Sequence, residues 1–451
     1  MKIAEKTGTQ LHAWDETQHV IDVDGKPLDP EEAGMYAQLL WDDGLISQAF
    51  RYSEQHGSSI PVEKSLMDFF REKAEGLFTD LPAEEAAQKR KTLLNIASMW
   101  GAYIGSPVER QSLRFYWLEE TIEGENPFVA ETYHKILDHV AKPALDKATI
   151  LYERKVTTIE SSTAGSSPEK ARITTSDGAT KSFDEVVVTA PLGWLKRNKS
   201  AFKPGLTPRL EKAVDSIGYG CLDKVYITFP KAFWDPATPS APRSPAAFKI
   251  DTTGSTPNVT ATTQPLHQAP SSGTAAHYPG FTHWLSPTYA RSTNPHQWDQ
   301  QGMNMAALPD SCSHPTILFY IYGPCSQQIA SLITSTPASE IDQVLMDYFK
   351  PYYSLMPGYD ADSSDCKPKA VLATAWANDE FAGYGSYSNF QVGLEEGDKD
   401  IETMREGMPE RSVWIAGEHT SPFVALGTST GAYWSGEKVG ERIVERYSGG
   451  T

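Results

Sequence analysis

Near the carboxyl end, the apolar run Ser412-Val413-Trp414-Ile415-Ala416 leads directly into Gly417-Glu418-His419-Thr420, a Gly/Thr-rich loop and a helical stretch from about 431 to 447. Strand, loop and helix in that order open a binding crevice beyond the carboxyl edge of a sheet. Lys224 heads a second apolar run, Val225-Tyr226-Ile227-Thr228-Phe229. It is either a surface lysine capping that strand or a lysine projecting into a crevice. A third run, Glu185 to Ala190, stops at Pro191 and Gly193 and reads as a strand buried on both faces. Residue type alone makes Tyr387 a core or interface aromatic. Cys221, Cys312, Cys325 and Cys366 form no CxxC pair, and His267, His277, His283 and His296 lack metal-motif spacing. No metal site is expected.

These residues need elements to hold them. Helices are expected over 62–77 and 83–102, where Leu93, Ile96 and Trp100 recur at helical spacing and Pro82 suits the entry to a first turn. A further helix is expected over 129–140, with Tyr133, Ile136 and Val140 on one face, before Pro143 interrupts the pattern. Strand signals cover 149–158, 171–175, 185–190, 224–229, 316–322 and 412–416, and Asp177-Gly178 marks a hairpin turn. The Pro/Ser/Thr/Gly/His-rich region 236–312 reads as a long excursion over the second domain.

A chain of 451 residues suits two domains. The formal charge of −18 excludes a phosphate-backbone binder, which needs a basic surface, so no nucleic-acid partner is expected. No run of eighteen apolar residues is present, so no transmembrane helix is expected. Met1-Lys2-Ile3-Ala4-Glu5-Lys6 does not open a signal peptide, because no apolar core follows. The expected location is cytoplasmic or unassigned.

Three ordered segments carry a family resemblance. They are Val187-Val188-Thr189-Ala190-Pro191-Leu192-Gly193-Trp194-Leu195-Lys196 with Phe202-Lys203-Pro204; Gly218-Tyr219-Gly220-Cys221-Leu222-Asp223-Lys224-Val225 running to Phe233-Trp234-Asp235-Pro236; and Ala416-Gly417-Glu418-His419-Thr420 with Gly431-Ala432-Tyr433-Trp434-Ser435-Gly436. Trp376-Ala377-Asn378-Asp379-Glu380-Phe381 with Gly385-Ser386-Tyr387-Ser388 adds a weaker fourth. Together, from about residue 110 to the end, they resemble the flavin-containing amine oxidases, in the branch of polyamine oxidases and lysine-specific histone demethylases. The resemblance implies an α/β fold. Its parts are a Rossmann-like FAD-binding domain and a discontinuous α+β substrate-binding domain. The substrate domain would comprise 5–125 (helical) and 205–405 (sheet-rich, with the long loop 236–312), and the FAD domain 126–204 and 406–451. Family members open with a strand, a GxGxxG turn and a helix; no GxGxxG follows a strand in this sequence, so the FAD domain is expected to be incomplete.

The resemblance also implies roles. Lys224 falls on the lysine that holds a water near flavin N5. Tyr387 matches one aromatic wall of the amine enclosure, and the second wall falls on Thr428, which widens the pocket. Trp376 matches an aromatic flanking the flavin, with a purely core role as the alternative. Val156 matches the contact to adenine, and Thr189, Ala190 and Pro191 the loop beside the cofactor. Gly417, Glu418 and the segment Thr428 through Gly431 and Ala432 match flavin-binding positions. Free amides at that helix start are expected to face the flavin, and Glu418 to accept ribityl or backbone hydrogen bonds. The implied activity is FAD-dependent oxidation of a small-molecule amine (a polyamine, secondary amine or amine-bearing metabolite) to an imine, with O2 reduced to H2O2. The alternatives are a truncated relative that binds no flavin, and a demethylase of histone tails.

Overall fold

The computed structural model describes residues 2–41, 43–120, 122, 127–130, 132–161, 171–235, 278–309 and 312–448. Alternation in the Leu222–Thr228 strand sets the main frame: Val225 and Ile227 are fully buried, while Lys224, Tyr226 and Thr228 turn to the other face. This strand belongs to a six-stranded sheet ordered Ala370–Ala373, Leu222–Thr228, Thr316–Tyr322, Gln300–Asn304, Phe281–Trp284 and Gln18–Ile21. All neighbours are antiparallel except the last pair. The inward row, with Ile317, Phe319 and Ile321, packs against Ile329 of the Gly323–Ser335 helix and Phe349 and Tyr352 of the Ile341–Tyr353 helix. Each fully buried side chain of this kind contributes about 1.5–3 kcal/mol.

Register places Lys224 opposite Tyr320, and Tyr320 opposite Gln301, which in turn pairs with His283. Paired residues share a face, so these four side chains form one row across the sheet, on the side away from the two helices.

Beside the sheet stand the helices Pro30–Leu40, Leu45–His56, Leu66–Ala74 and Ala83–Ser98, which share a core of Tyr36, Leu40, Leu66, Phe69, Phe70, Leu93 and Ile96. Asp29 caps the first by accepting from Glu31 and Glu32 amides, and Ser65 with Asp68 forms a capping box on the third. The expected helix over 83–102 is Ala83–Ser98, followed by the short turn Gly101–Ile104. Gly105 ends that turn at φ 66°, where a Cβ would lie 3.1 Å from Cys221 N, and its carbonyl accepts from that amide at 2.8 Å. Tyr103 is thereby held beside the start of the Leu222–Thr228 strand.

A third core joins the parallel pair Val186–Val188 and Val413–Ile415 to the four-stranded sheet Thr180–Phe183, Ala171–Thr175, Val156–Ser161 and Phe202–Lys203. The Ser429–Ser448 helix packs through Val439 against Trp414 and Ala416. Two local expectations needed revision. The strand expected from 149 begins only at Val156, because Glu153 adopts φ 57° and interrupts extended backbone. Pro143 does not end its helix, which runs His134–Leu145: it falls in the last turn, where one lost amide bond is tolerated. That helix buries none of its residues, and Tyr133, Leu137 and Leu145 are about half exposed or more. Within the expected excursion 236–312, Phe281–Trp284 and Gln300–Asn304 are sheet strands; residues 236–277 and 310–311 lie outside the described residues. No helix among the described residues is long and apolar enough to cross a membrane.

Candidate functional site

The two parallel strands end side by side. Ala416 N donates to Val188 O at 3.0 Å, so Thr189-Ala190-Pro191 and Gly417-Glu418 leave the same carboxyl edge. Pro191 opens the Leu192–Arg197 helix. Gly417 has φ 158°, and a Cβ there would come within 2.8 Å of the His419 ring. Ala190 and Val156 both pack on the shared core of this half, with Val156 opening its strand.

Thr428 caps the last helix. Its hydroxyl donates to Ala425 O at 2.8 Å and accepts from Gly431 N at 2.9 Å, while Ala432 N bonds Thr428 O at 3.0 Å. The amides of Gly431 and Ala432 are thus taken up within the cap; sequence could not show that Thr428 would turn its side chain back. Among the described residues the Ser429 and Thr430 amides have no hydrogen-bond partner. Gly431 is required for close approach: a Cβ would sit 2.0 Å from Ala425 O.

Glu418 accepts from Ser388 N at 3.0 Å and Ser388 Oγ at 2.6 Å, and from the Gly427 backbone. Burial raises its pKa, and these bonds oppose the rise. They also carry Tyr387, the neighbour of Ser388, to the same place. A Cβ on Gly427 would lie 3.5 Å from the Tyr387 ring, and the Tyr387 hydroxyl donates to Tyr103 O. Burial raises the pKa of the Tyr387 hydroxyl, and the Glu119 and Glu418 carboxylates push it the same way.

Lys224 lies on the sheet side of this group. Its Nζ is 5.1 Å from the centre of the Tyr320 ring, and Tyr103 hydrogen-bonds Gln301, the next residue of the row. Tyr103 is 50% exposed although burial raises the pKa of its hydroxyl. Trp376 is 40% exposed, and its turn is fixed by Asp223. The fully buried Asp223 carboxylate accepts from Ser326 Oγ at 2.8 Å, Thr374 Oγ1 at 2.7 Å, Trp376 N at 2.8 Å and Ala377 N at 3.3 Å. The Lys224 amide in turn donates to Thr374 Oγ1 at 2.9 Å.

Lys224, Tyr387 and Thr428 are therefore linked through Tyr320, Tyr103 and Gly427, with Glu418 beside them and Trp376 tied to the Lys224 strand. Sequence reading missed Tyr103, Tyr320, Gln301, Asp223 and Glu119. Only the strand register, which no single-sequence pattern shows, puts Tyr320 next to Lys224. A separate cavity of about 450 Å³ lies between the Leu66–Ala74 and Ala83–Ser98 helices, lined by Met67, Arg71, Arg90 and Lys91. It contains none of the expected residues.

The site can offer a planar polar ring two free amides, aromatic side chains and a lysine. His419 adds an observation of its own: its ring is buried, neither nitrogen has a hydrogen-bond partner among the described residues although Nδ1 lies 4.0 Å from Glu418 Oε1, and burial lowers its pKa to about 4. Orphaned buried polar atoms beside Gly417, together with the two free amides, fit a hydrogen-bonding group in this crevice.

The sequence model for flavin containing amine oxidoreductase matches residues 29–444. Lysine-specific histone demethylase 1 homolog 1 of Oryza sativa subsp. japonica is 24% identical over 452 residues, covering 98% of this chain and 43% of that protein. Protein FLOWERING LOCUS D of Arabidopsis thaliana is 24% identical over 423 residues, covering 93% of this chain and 44% of its own length. Lysine-specific histone demethylase 1B of Mus musculus is 39% identical over 67 residues, 15% of this chain. The chain spans less than half the length of each of these relatives.

Proposed function

The chain belongs to the flavin containing amine oxidoreductase family, whose cofactor is FAD, and on that premise we propose that it oxidises an amine to an imine at the crevice between the parallel pair and the Lys224 row. The observation that carries the reading is convergence. The Thr189–Pro191 loop, Gly417-Glu418 and the start of the Ser429–Ser448 helix share one carboxyl edge, and Glu418 links that edge through Ser388 to Tyr387. The domain division given by the resemblance belongs to the same proposal: 126–204 and 406–451 hold the cofactor, while 5–125 and 205–405 hold the substrate.

When bound, FAD would supply the two-electron acceptor for hydride from the amine α-carbon, with O2 as the final oxidant. Ser429 and Thr430 would donate to the electron-rich side of its ring, at the positive end of a long helix. Glu418 would accept from the ribityl chain, and Val156 and Thr189-Ala190-Pro191 would line the remainder. Lys224 presents a hydrogen-bond donor from the sheet floor. Tyr387 and Trp376 would offer aromatic faces that favour a cationic ligand. Thr428 contributes its methyl, since its hydroxyl is committed to the cap.

Substrates in view are polyamines, secondary amines and amine-bearing metabolites. A second reading, a methylated lysine side chain within a polypeptide, is favoured by the small Thr428 at the second wall and by the demethylase names of the relatives. The test is a panel of polyamines, N-methyl amines and a methyl-lysine peptide, offered to the FAD-loaded chain while peroxide release is followed. Turnover of the peptide alone would favour the second reading. No peroxide from any amine by a chain that holds FAD would refute oxidase activity.

A further inference from the structure

The edge proposed to receive the cofactor is neither strand nor long helix. Between the Val413–Ile415 strand and the Ser429–Ser448 helix the chain makes two short turns, Glu418–Thr420 and Phe423–Ala425. Turns of this length carry too few internal hydrogen bonds to hold one shape by themselves. Side chains supply the rest. Ser435 Oγ accepts from Gly417 N at 3.1 Å and bonds Thr420 Oγ1 at 2.6 Å. The buried Ser421 hydroxyl reaches Glu418 O and, at 3.2 Å, Ala425 O, the carbonyl that also receives the Thr428 hydroxyl at 2.8 Å. One chain of bonds thus runs from Glu418 through Ser421 and Ala425 to Thr428 and the helix start.

Two carbonyls of this loop are met from outside it. Arg405, in the last turn of the Gly397–Glu406 helix, donates from Nε to Thr420 O at 2.9 Å and from Nη2 to Ser421 O at 2.5 Å. Its guanidinium lies 5.1 Å from the centre of the Phe423 ring. That ring also meets Trp117 edge-on at 5.5 Å, and the Trp117 amide donates to Ser53 Oγ at 3.0 Å on the Leu45–His56 helix. The Arg405 carbonyl accepts from Arg442 Nη1 at 2.7 Å, so the arginine is tied to the last helix as well as to the loop before it. A rigid fork of N–H groups set against two successive carbonyls is a geometry that lysine cannot reproduce.

Resting on the cofactor reading above, we propose that Arg405 is a positioning residue for the flavin: fixed on Thr420 O, Ser421 O and the Phe423 ring, it sets the loop 417–428 and, through Ser421 and Ala425, the aim of the free Ser429 and Thr430 amides. It acts through the loop, from the side of the Gly397–Glu406 helix.

Three variants separate the fork from the charge and the stem. Arg405→Met keeps the stem against Phe423 and removes the fork, Arg405→Lys keeps the charge and reaches one carbonyl, and Arg405→Ala leaves room for a guanidinium ion from solution. In the full chain without FAD, hydrogen exchange of the amides in 417–431 should quicken about tenfold in Arg405→Met, while the Leu222–Thr228 and Thr316–Tyr322 strands keep their rates. Titrated with FAD, Arg405→Met should bind about tenfold more weakly, with a reduced visible circular dichroism signal. Arg405→Lys should recover part of both. Guanidinium chloride, compared with sodium chloride at equal ionic strength, should tighten FAD binding to folded Arg405→Ala. Wild-type exchange and affinity in Arg405→Met, a quickening that includes both strands, full recovery in Arg405→Lys, or a folded Arg405→Ala that ignores guanidinium each overturns the proposal. A wild-type chain that holds no FAD while the exchange contrast stands would sink the cofactor reading alone.

Discussion

Replacing Asp223 should loosen the frame that holds both Lys224 and Trp376. Its carboxylate serves two hydroxyls and two main-chain amides, those of Trp376 and Ala377. In Asp223→Ala the hydroxyls of Ser326 and Thr374 can rotate to other acceptors, but the two amides are fixed by the backbone. Each buried unpaired donor costs about 1–3 kcal/mol, so the variant should lose about 4 kcal/mol of stability. Asp223→Asn keeps one acceptor oxygen and turns its amide nitrogen towards donors on the other side, for a loss of about 2 kcal/mol. Isothermal urea unfolding followed by near-ultraviolet circular dichroism measures both. The Trp376 emission spectrum should also shift to the red in the folded Asn variant, as its turn opens to water. An alanine variant within 1 kcal/mol of wild type, or an asparagine variant as damaged as alanine, would refute the reasoning.

Gly431→Ala would drive a methyl against Ala425 O, only 2.0 Å away, and should displace the helix start; a loss of about 2–4 kcal/mol with reduced flavin uptake is expected by thermal melting and absorbance. Leu137→Glu, on a helix with no buried residue and at 60% exposure, should cost under about 0.5 kcal/mol and lower the binding of an apolar dye. His419 is held neutral in the fold down to about pH 4, whereas the unfolded chain protonates near pH 6.5. Its depressed value means that stability is intact above pH 6.5 and falls as pH drops towards 4. Relative to His419→Leu, wild type should lose about 3 kcal/mol across that window in urea titrations; a constant difference would contradict it.

Element type was legible where one pattern dominated. Thr316–Tyr322 and Leu222–Thr228 carry β-branched and aromatic residues in alternation, and Leu93 with Ile96 marks a helix stripe that is buried. Partnership was not. Gln300-Gln301-Gly302 looks like loop in isolation, yet it is a strand because Trp284 and Phe319 cover it from neighbours. Nothing in the sequence marks Asp223 as buried; the turn at Trp376 supplies two of its donors. Glu119 carries no sequence signal of the burial that raises its pKa. The ordered motifs fixed the family; the register and the side-chain capping at Thr428 needed coordinates.

Occupation by FAD of the edge shared by Gly417-Glu418 and the last helix is tested most directly by titrating FAD into the purified full chain while recording visible circular dichroism. About one FAD should bind per folded chain with an induced signal, and Gly417→Val, which puts bulk beside the His419 ring at an unfavourable φ, should abolish that signal while the fold persists. A folded wild-type chain that takes up no flavin, or a Gly417→Val chain that binds it equally well, would contradict the account.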